Sequence, residues 1–384
     1  MSTTTSLLEQ LVGFDTTSLS SNLELIAFVE QHLAAHGVAA ERVYSPDGAR
    51  ANLVARIGPA VEGGVVLSAH TDCVPVAGQP WTRDPLVIHR EGDRLVGRGT
   101  ADMKGFIACV LAAVPRLAAA DLQRPILLAL SYDEELGTVG APSLVEHLLA
   151  TQPRPEAVLV GEPTSMEVVT AHKGVRSFTT VVDGLDGHSS QPHRAANAVV
   201  AAARIATYLA DLADERQRLA PDHRFDPPHT TVNVATIAGG QAINIVPRRC
   251  ELAWEYRPIP ADDSDTLYER VEAHIRDEVL PRLRASTGYG RIETRSEALA
   301  RALASELHGP AETLARELSG YRGPDRTVPF GTDGGHFQAA GLSTVVCGPG
   351  SIEQAHQPDE FVEVAQLEAC DRMLEALTDR LSRR

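Results

Sequence analysis

Gly64-Val65-Val66-Leu67-Ser68-Ala69 is an apolar run that stops at His70. Its length and its branched residues mark a buried strand. Two later runs repeat the form: Ile126-Leu127-Leu128-Ala129-Leu130 leads to Asp133-Glu134-Glu135, and Ala157-Val158-Leu159-Val160 leads to Gly161-Glu162. Up to about residue 175 such strands alternate with helical patterns, the signature of an α/β layer fold. In open α/β sheets the site lies outside the carboxyl ends of the strands, so residues dozens of positions apart converge there.

Five potential metal ligands follow this logic in chain order: His70, Asp102, Glu135, Glu162 and His356. Two neutral imidazoles and three carboxylates suit zinc, cobalt or manganese. Glu134 is left over to move protons, which completes the inventory of a two-metal hydrolase. In His70-Thr71-Asp72, the Asp72 carboxylate is placed to accept the second ring N–H of His70 and fix its tautomer. Asp102 sits in Gly97-Arg98-Gly99-Thr100-Ala101-Asp102-Met103-Lys104-Gly105, whose spacing is not that of a dinucleotide loop, and its two oxygens allow it to bridge two metals. Each motif alone also fits a plainer reading. His70 reads equally as a core histidine, the glycines as a loop and Asp133-Glu134-Glu135 as a solvated turn. In Gly187-His188-Ser189-Ser190, one serine reads as the cap of a helix from Ala195, or His188 reads as an electrophile reaching across a cleft.

At 384 residues the chain is long enough for two domains. With 35 basic and 51 acidic residues its net charge is −16, which argues against nucleic acid or an anionic membrane as partner. The five cysteines are widely spaced without a CxxC and read as buried thiols of a reducing compartment. Met1-Ser2-Thr3-Thr4-Thr5-Ser6-Leu7-Leu8 lacks a signal-peptide pattern, and no stretch approaches the ~20 apolar residues of a span. The reading is cytoplasmic. Gly-x-Ser-x-Gly is absent, so a serine nucleophile is not indicated.

The pattern changes after about residue 176. Strands at 177–182, 230–237, 245–246 and 251–256 surround a helix from Ala195 to Leu219 and another after Asp262-Asp263-Ser264-Asp265. This predicts catalytic segments at 1–176 and 286–384, with an α+β domain inserted at 177–285. Residues 295–320 read as helices with Leu299, Leu303 and Leu307 in register. Pro115 is expected to kink or end the helix Phe106–Ala120.

Together these motifs resemble the zinc-dependent deacylase and exopeptidase family, from Leu11-Val12-Gly13-Phe14-Asp15-Thr16 to Phe361. Gly161-Glu162-Pro163-Thr164-Ser165, Ala171-His172-Lys173-Gly174 and the stretch from Gly348-Pro349-Gly350 to His356-Gln357-Pro358-Asp359-Glu360 look most like its acetylornithine deacetylase branch. Phe330-Gly331-Thr332-Asp333-Gly334-Gly335 looks like the Gly-Thr-rich loop of the wider family. The resemblance implies an α/β/α catalytic domain with an inserted ferredoxin-like lid that also dimerises the protein. It implies two Zn2+, with Co2+ or Mn2+ able to substitute. His70, Asp102 and Glu162 would hold one; Asp102, Glu135 and His356 the other. It implies Glu134 as general acid and base, His188 acting from the partner's lid, and Asn244, Arg257, Gly331 and Thr332 as substrate contacts. A cis peptide after Asp102 is also implied. The implied reaction is hydrolysis of an N-acyl amino acid, N2-acetyl-L-ornithine giving L-ornithine and acetate. The alternatives are a succinyl-diaminopimelate desuccinylase, a broader N-acyl-amino-acid hydrolase, or a non-catalytic metal-binding scaffold. Loss of Glu134 or His188 would mark the scaffold, and both are present.

Overall fold

A computed structural model describes every residue except 1, 19, 220 and 384, so the outer ends of the two predicted catalytic segments lie outside the described residues. The chain forms two compact units. The first comprises Met1–Ala171, Leu303–Thr327 and Thr332–Arg384; the second His172–Ala302 and Val328–Gly331.

The first unit is built on an eight-stranded sheet in the order Ala40–Tyr44, Ala51–Ile57, Ile126–Ser131, Val65–His70, Ala157–Val160, Ser343–Val346, Val169–His172, Arg326–Val328. Ile126–Ser131, Val65–His70, Ala157–Val160 and Ser343–Val346 run parallel as neighbours. The first three are buried at every position, as their unbroken apolar runs require. Each fully buried Leu or Ile there contributes about 1.5–3 kcal/mol, which makes the sheet a stiff platform for the loops at its carboxyl edge. The helix Lys104–Ala119 is buried along most of its length and takes Thr3–Val12 and Val364–Ser382 as packing partners.

That helix runs unbroken through Pro115, contrary to the expected kink or stop. A proline leaves the carbonyl four residues earlier without its helical donor. Here that carbonyl, Leu111 O, accepts from His32 Nε2 at 2.9 Å. An outside side chain makes good the missing bond, and the helix continues.

The second unit is a four-stranded antiparallel sheet in the order Thr231–Gly239, Arg249–Arg257, Val175–Asp183, Arg291–Ala300. Helices Ala198–Gln217 and Ser264–His274 bury their apolar residues against it. The chain order β-α-β-β-α-β with this strand order is ferredoxin-like. At its centre Phe178 stacks on Trp254 and Tyr268 at 4.4 and 4.9 Å, and Trp254 Nε1 donates to Thr180 Oγ1 at 2.9 Å.

Three sequence expectations need correction. Residues 295–300 are not helical. They complete the strand Arg291–Ala300, paired with Val175–Asp183, and so belong to the second unit. The spacing of Leu299, Leu303 and Leu307 is accidental, because Leu307 is exposed and the next helix starts at Pro310. The insert is consequently longer than 177–285. Finally, neither Ser189 nor Ser190 caps the long helix. It starts at Ala198, where the Asn197 side chain accepts from the Val200 N–H.

Candidate functional site: a carboxylate and imidazole cluster at the strand ends

His70 ends its strand 1% exposed. Its Nδ1 donates to the backbone carbonyl of Asp72 at 2.9 Å, so in the neutral ring Nε2 carries the lone pair and can serve as a ligand. This corrects the expected role of Asp72, whose carboxylate lies 3.7 Å from the ring nitrogen. Just past the strand the chain turns, so the carbonyl rather than the side chain meets the imidazole. The Asp72 carboxylate instead accepts the N–H groups of Glu134 and Glu135, at 3.0 and 3.2 Å. One residue thus orients a ligand through its backbone and the acidic turn through its side chain.

The acidic turn separates its three charges. Asp133 has left-handed backbone (φ 51°) and pairs with Arg50 at 2.9 Å. The carboxylate of Glu135 lies 3.0 Å from His356 Nε2. Glu134 takes part in neither contact.

Asp102 sits between two groups of donors. Its Oδ1 lies 2.8 Å from His70 Nε2, and its Oδ2 lies 3.3 Å from His356 Nε2. Glu162 Oε1 stands 3.7 Å from His70 Nε2. His70, Asp102 and Glu162 form one group able to hold a metal, and Asp102, Glu135 and His356 a second. Ligand atoms ~2.0–2.1 Å from a shared tetrahedral ion stand about 3.3 Å apart, and these separations bracket that value. The Asp102–Met103 peptide is cis, as the resemblance implies. Gly161, just before Glu162, packs so closely on the Phe106 ring that a Cβ would lie 2.1 Å from it.

The electrostatics calls for cations. Burial, reinforced by Glu162, pushes the Glu134 carboxyl well above its usual range; burial and Asp102 do the same to Glu162. The hydrogen bonds that His356 donates to the Asp102 and Glu135 carboxylates raise it to about 10. Carboxylates crowded in a buried site repel unless positive charge offsets them, so the donor set fits two divalent ions.

The predicted substrate contacts are placed as follows. His188, Asn244, Arg257 and Gly331 belong to the second unit, and Thr332 to the first. His188 and Asn244 come together: the two-residue strands Gly187–His188 and Ile245–Val246 pair, and the Ser189 N–H donates to Asn244 O at 3.0 Å. Both are exposed. His188 Nδ1 accepts the Ser190 N–H at 3.2 Å, so a neutral ring carries its proton on Nε2, as a hydrogen-bond donor. Arg257 is held by its neighbour Glu255 at 3.2 and 3.3 Å. Gly331 packs against Ala300, and buried Thr332 accepts the Gly334 N–H at 3.0 Å.

Two buried acids near this cluster had no assigned role in the sequence. Asp333 accepts from Ser131 Oγ at 2.6 Å, adds to the negative field on Glu134 and Glu162, and is itself pushed up to about 6 by burial. Glu360 accepts backbone N–H groups of the Asp102 loop. Only its place four residues after His356 marked it.

Among the described residues no helix is long and apolar enough to cross a membrane. Residues 66–380 match the family model described as peptidase family M20/M25/M40. An acetylornithine deacetylase from Myxococcus xanthus is 37% identical over 379 residues, covering 96% of this chain and 94% of the relative. Among solved structures, an M20-family metallo-carboxypeptidase from Sulfolobus solfataricus superposes with a TM-score of 0.78 at 17% identity, covering 100% and 99% of the two chains. A dinuclear metal-binding M20 peptidase from Bacillus subtilis gives 0.62 at 16% identity, covering 98% and 97%. The strand-end cluster therefore sits in a known catalytic fold, and the chain belongs to peptidase family M20/M25/M40 as a metal-dependent hydrolase.

Proposed function

We propose that the protein hydrolyses the amide bond of an N-acyl amino acid, with N2-acetyl-L-ornithine and water giving L-ornithine and acetate. The observation that carries this reading is the division of Asp102, one oxygen toward each ligand group, with Glu134 outside both. The choice of substrate is supported by likeness to a relative named acetylornithine deacetylase.

Two zinc ions, or cobalt or manganese in their place, would supply Lewis acidity and lower the pKa of a water beside them toward ~7. His70, Glu162 and Asp102 would hold one, and Asp102, Glu135 and His356 the other. Glu134 takes a proton from the attacking water as its oxygen adds to the amide carbon. It then delivers that proton to the leaving α-amine as the C–N bond breaks. Its adjacency to Glu135, clamped by the same Asp72, places the proton shuttle beside the ligands without making it one. The Nε2–H of His188 donates to the developing oxyanion. Arg257 and Asn244 contact the substrate carboxylate, and Gly331 and Thr332 line its path.

The protein acts as a homodimer through its second unit. The strand Thr231–Gly239 is an edge of that unit's sheet, with Ile237 48% exposed, and Ile243 beyond it is fully exposed. An open, partly apolar edge is a pairing surface.

The test is amine release by the zinc-loaded protein from N-acetylornithine, with N-succinyl-diaminopimelate and N-acetylmethionine in parallel. Preference for N-acetylornithine supports the proposal. Preference for either other substrate keeps the chemistry and overturns the substrate. No turnover of all three with two metals bound would make the protein a scaffold.

A further inference from the structure

Glu360 is 1% exposed, yet its carboxylate is surrounded by donors. Oε1 accepts the N–H groups of Ala101 and Asp102 at 2.9 and 3.1 Å. Oε2 accepts the Gly99 N–H at 3.0 Å and Arg98 Nη1 at 2.8 Å. The backbone joins in, since the Gly97 N–H donates to Glu360 O at 2.8 Å. The loop that carries Asp102 is therefore wrapped around one side chain, and that side chain lies four residues after His356.

The neighbours of Glu360 tie down the other loop. Arg98 donates to Gln357 O at 3.4 Å and to Gln79 Oε1, and lies over the Trp81 ring at 4.9 Å. Gln79 Nε2 donates to His356 O at 2.9 Å. Asp359 Oδ1 accepts from the N–H and hydroxyl of Thr82 at 3.0 and 3.1 Å. His356 and Asp359 both have left-handed backbone (φ 63° and 56°), which non-glycine residues hold only where surrounding contacts impose it.

The two ligand groups differ in what supports them. His70 and Glu162 leave the ends of paired strands, Val65–His70 and Ala157–Val160, so the sheet sets their spacing. His356 has no such strand and its side chain is 50% exposed, against 1% for His70 and 6% for Glu162. Loop contacts, rather than a strand of the sheet, hold it against Asp102 and Glu135.

We propose that Glu360 is a positioning residue for the second cation position: it fixes the Asp102 loop against the His356 loop, so that the group Asp102, Glu135, His356 depends on it while the group His70, Asp102, Glu162 depends mainly on the sheet. This rests on the two-metal reading given above. Partners behind metal ligands typically control affinity by about 10–100-fold.

The experiment titrates metal-free protein with Co2+, following visible absorption and bound metal by equilibrium dialysis, with thermal unfolding recorded alongside. The wild type binds two ions. Glu360→Gln removes the charge and places an amide donor against N–H groups. It should weaken the second ion about 10–100-fold and leave the first within about threefold. Because that variant strands a buried Arg98, the double variant Arg98→Met with Glu360→Gln serves as the folding-tolerant form and should show the same selective loss. Arg98→Met alone keeps the carboxylate and its backbone N–H bonds but cuts the ties to Gln357 and Gln79, so it should weaken the second ion by less than Glu360→Gln does and leave the first within about threefold. Wild-type affinity at both positions in folded Glu360→Gln or in the double variant would overturn the proposal. Equal weakening at both positions would overturn it too, in favour of a general structural role. A wild type that binds fewer than two ions defeats the two-metal reading itself, a result visible before any variant is made.

Discussion

Glu134 and Glu135 are neighbours whose backbone N–H groups share one acceptor, yet their carboxylates have different surroundings. Glu135 meets His356, while Glu134 stays outside both ligand groups. Under the proposed mechanism Glu134→Ala should keep two metals and lose about 10²–10⁴-fold in kcat, the usual size of a general acid–base contribution. Glu135→Ala should lose the second metal. Metal content measured beside kcat checks both, and loss of metal from Glu134→Ala would reverse the two roles. At this scale the candidate ligands that the structure brings together were legible, because most of them stand just past an apolar run or in a glycine loop. The role of Asp72 was not. Whether a carbonyl or a carboxylate meets the imidazole depends on the turn after the strand, and no residue pattern specifies that turn.

The helix Lys104–Ala119 shows the same limit one level up. Its apolar composition announces a buried helix, and Pro115 announces a break. His32, on the helix Leu23–Ala34, supplies the donor that Leu111 O would otherwise lack. Removing that donor leaves a buried carbonyl unsatisfied, so His32→Ala should cost about 1–3 kcal/mol. Pro115→Ala restores the backbone N–H, and the pair His32→Ala with Pro115→Ala should recover part of the loss. Urea unfolding of the three variants checks this. A His32→Ala midpoint equal to the wild type would show that the bond carries no stability. The strand Arg291–Ala300 was hidden for a related reason. Its exposed positions blur the alternation, and its register is set by pairing with Val175–Asp183, more than a hundred residues away.

For the molecule as a whole, the ligand groups lie in one unit and His188 in the other. In the proposed dimer His188 serves the partner's site. His188→Ala and Glu134→Ala subunits are then each inactive alone, but a mixed dimer contains one site with both residues intact. Mixing equal amounts of the two proteins should restore about half of wild-type kcat per mixed dimer, or about a quarter over the whole mixture after random exchange, with metal content unchanged. No recovery after subunit exchange has been demonstrated would place His188 in action within its own chain.

By itself the sequence determined the layer fold of the first unit, the chain order of the candidate ligands and the class of metal-dependent hydrolase. Those rest on local signals: runs of buried residues, the residue that ends each run, and glycines before an acid. Tertiary structure alone decided which groups meet. It set one Asp102 oxygen against His70 and the other against His356, turned the Asp72 carboxylate to the Glu134 turn, capped Leu111 with His32, and wrapped the Asp102 loop around Glu360. Each of these is a hydrogen bond or a ligand distance between segments far apart in the chain. A local pattern reports which side chains face the core; the few ångströms between two such segments are set only when the sheet and its helices have packed.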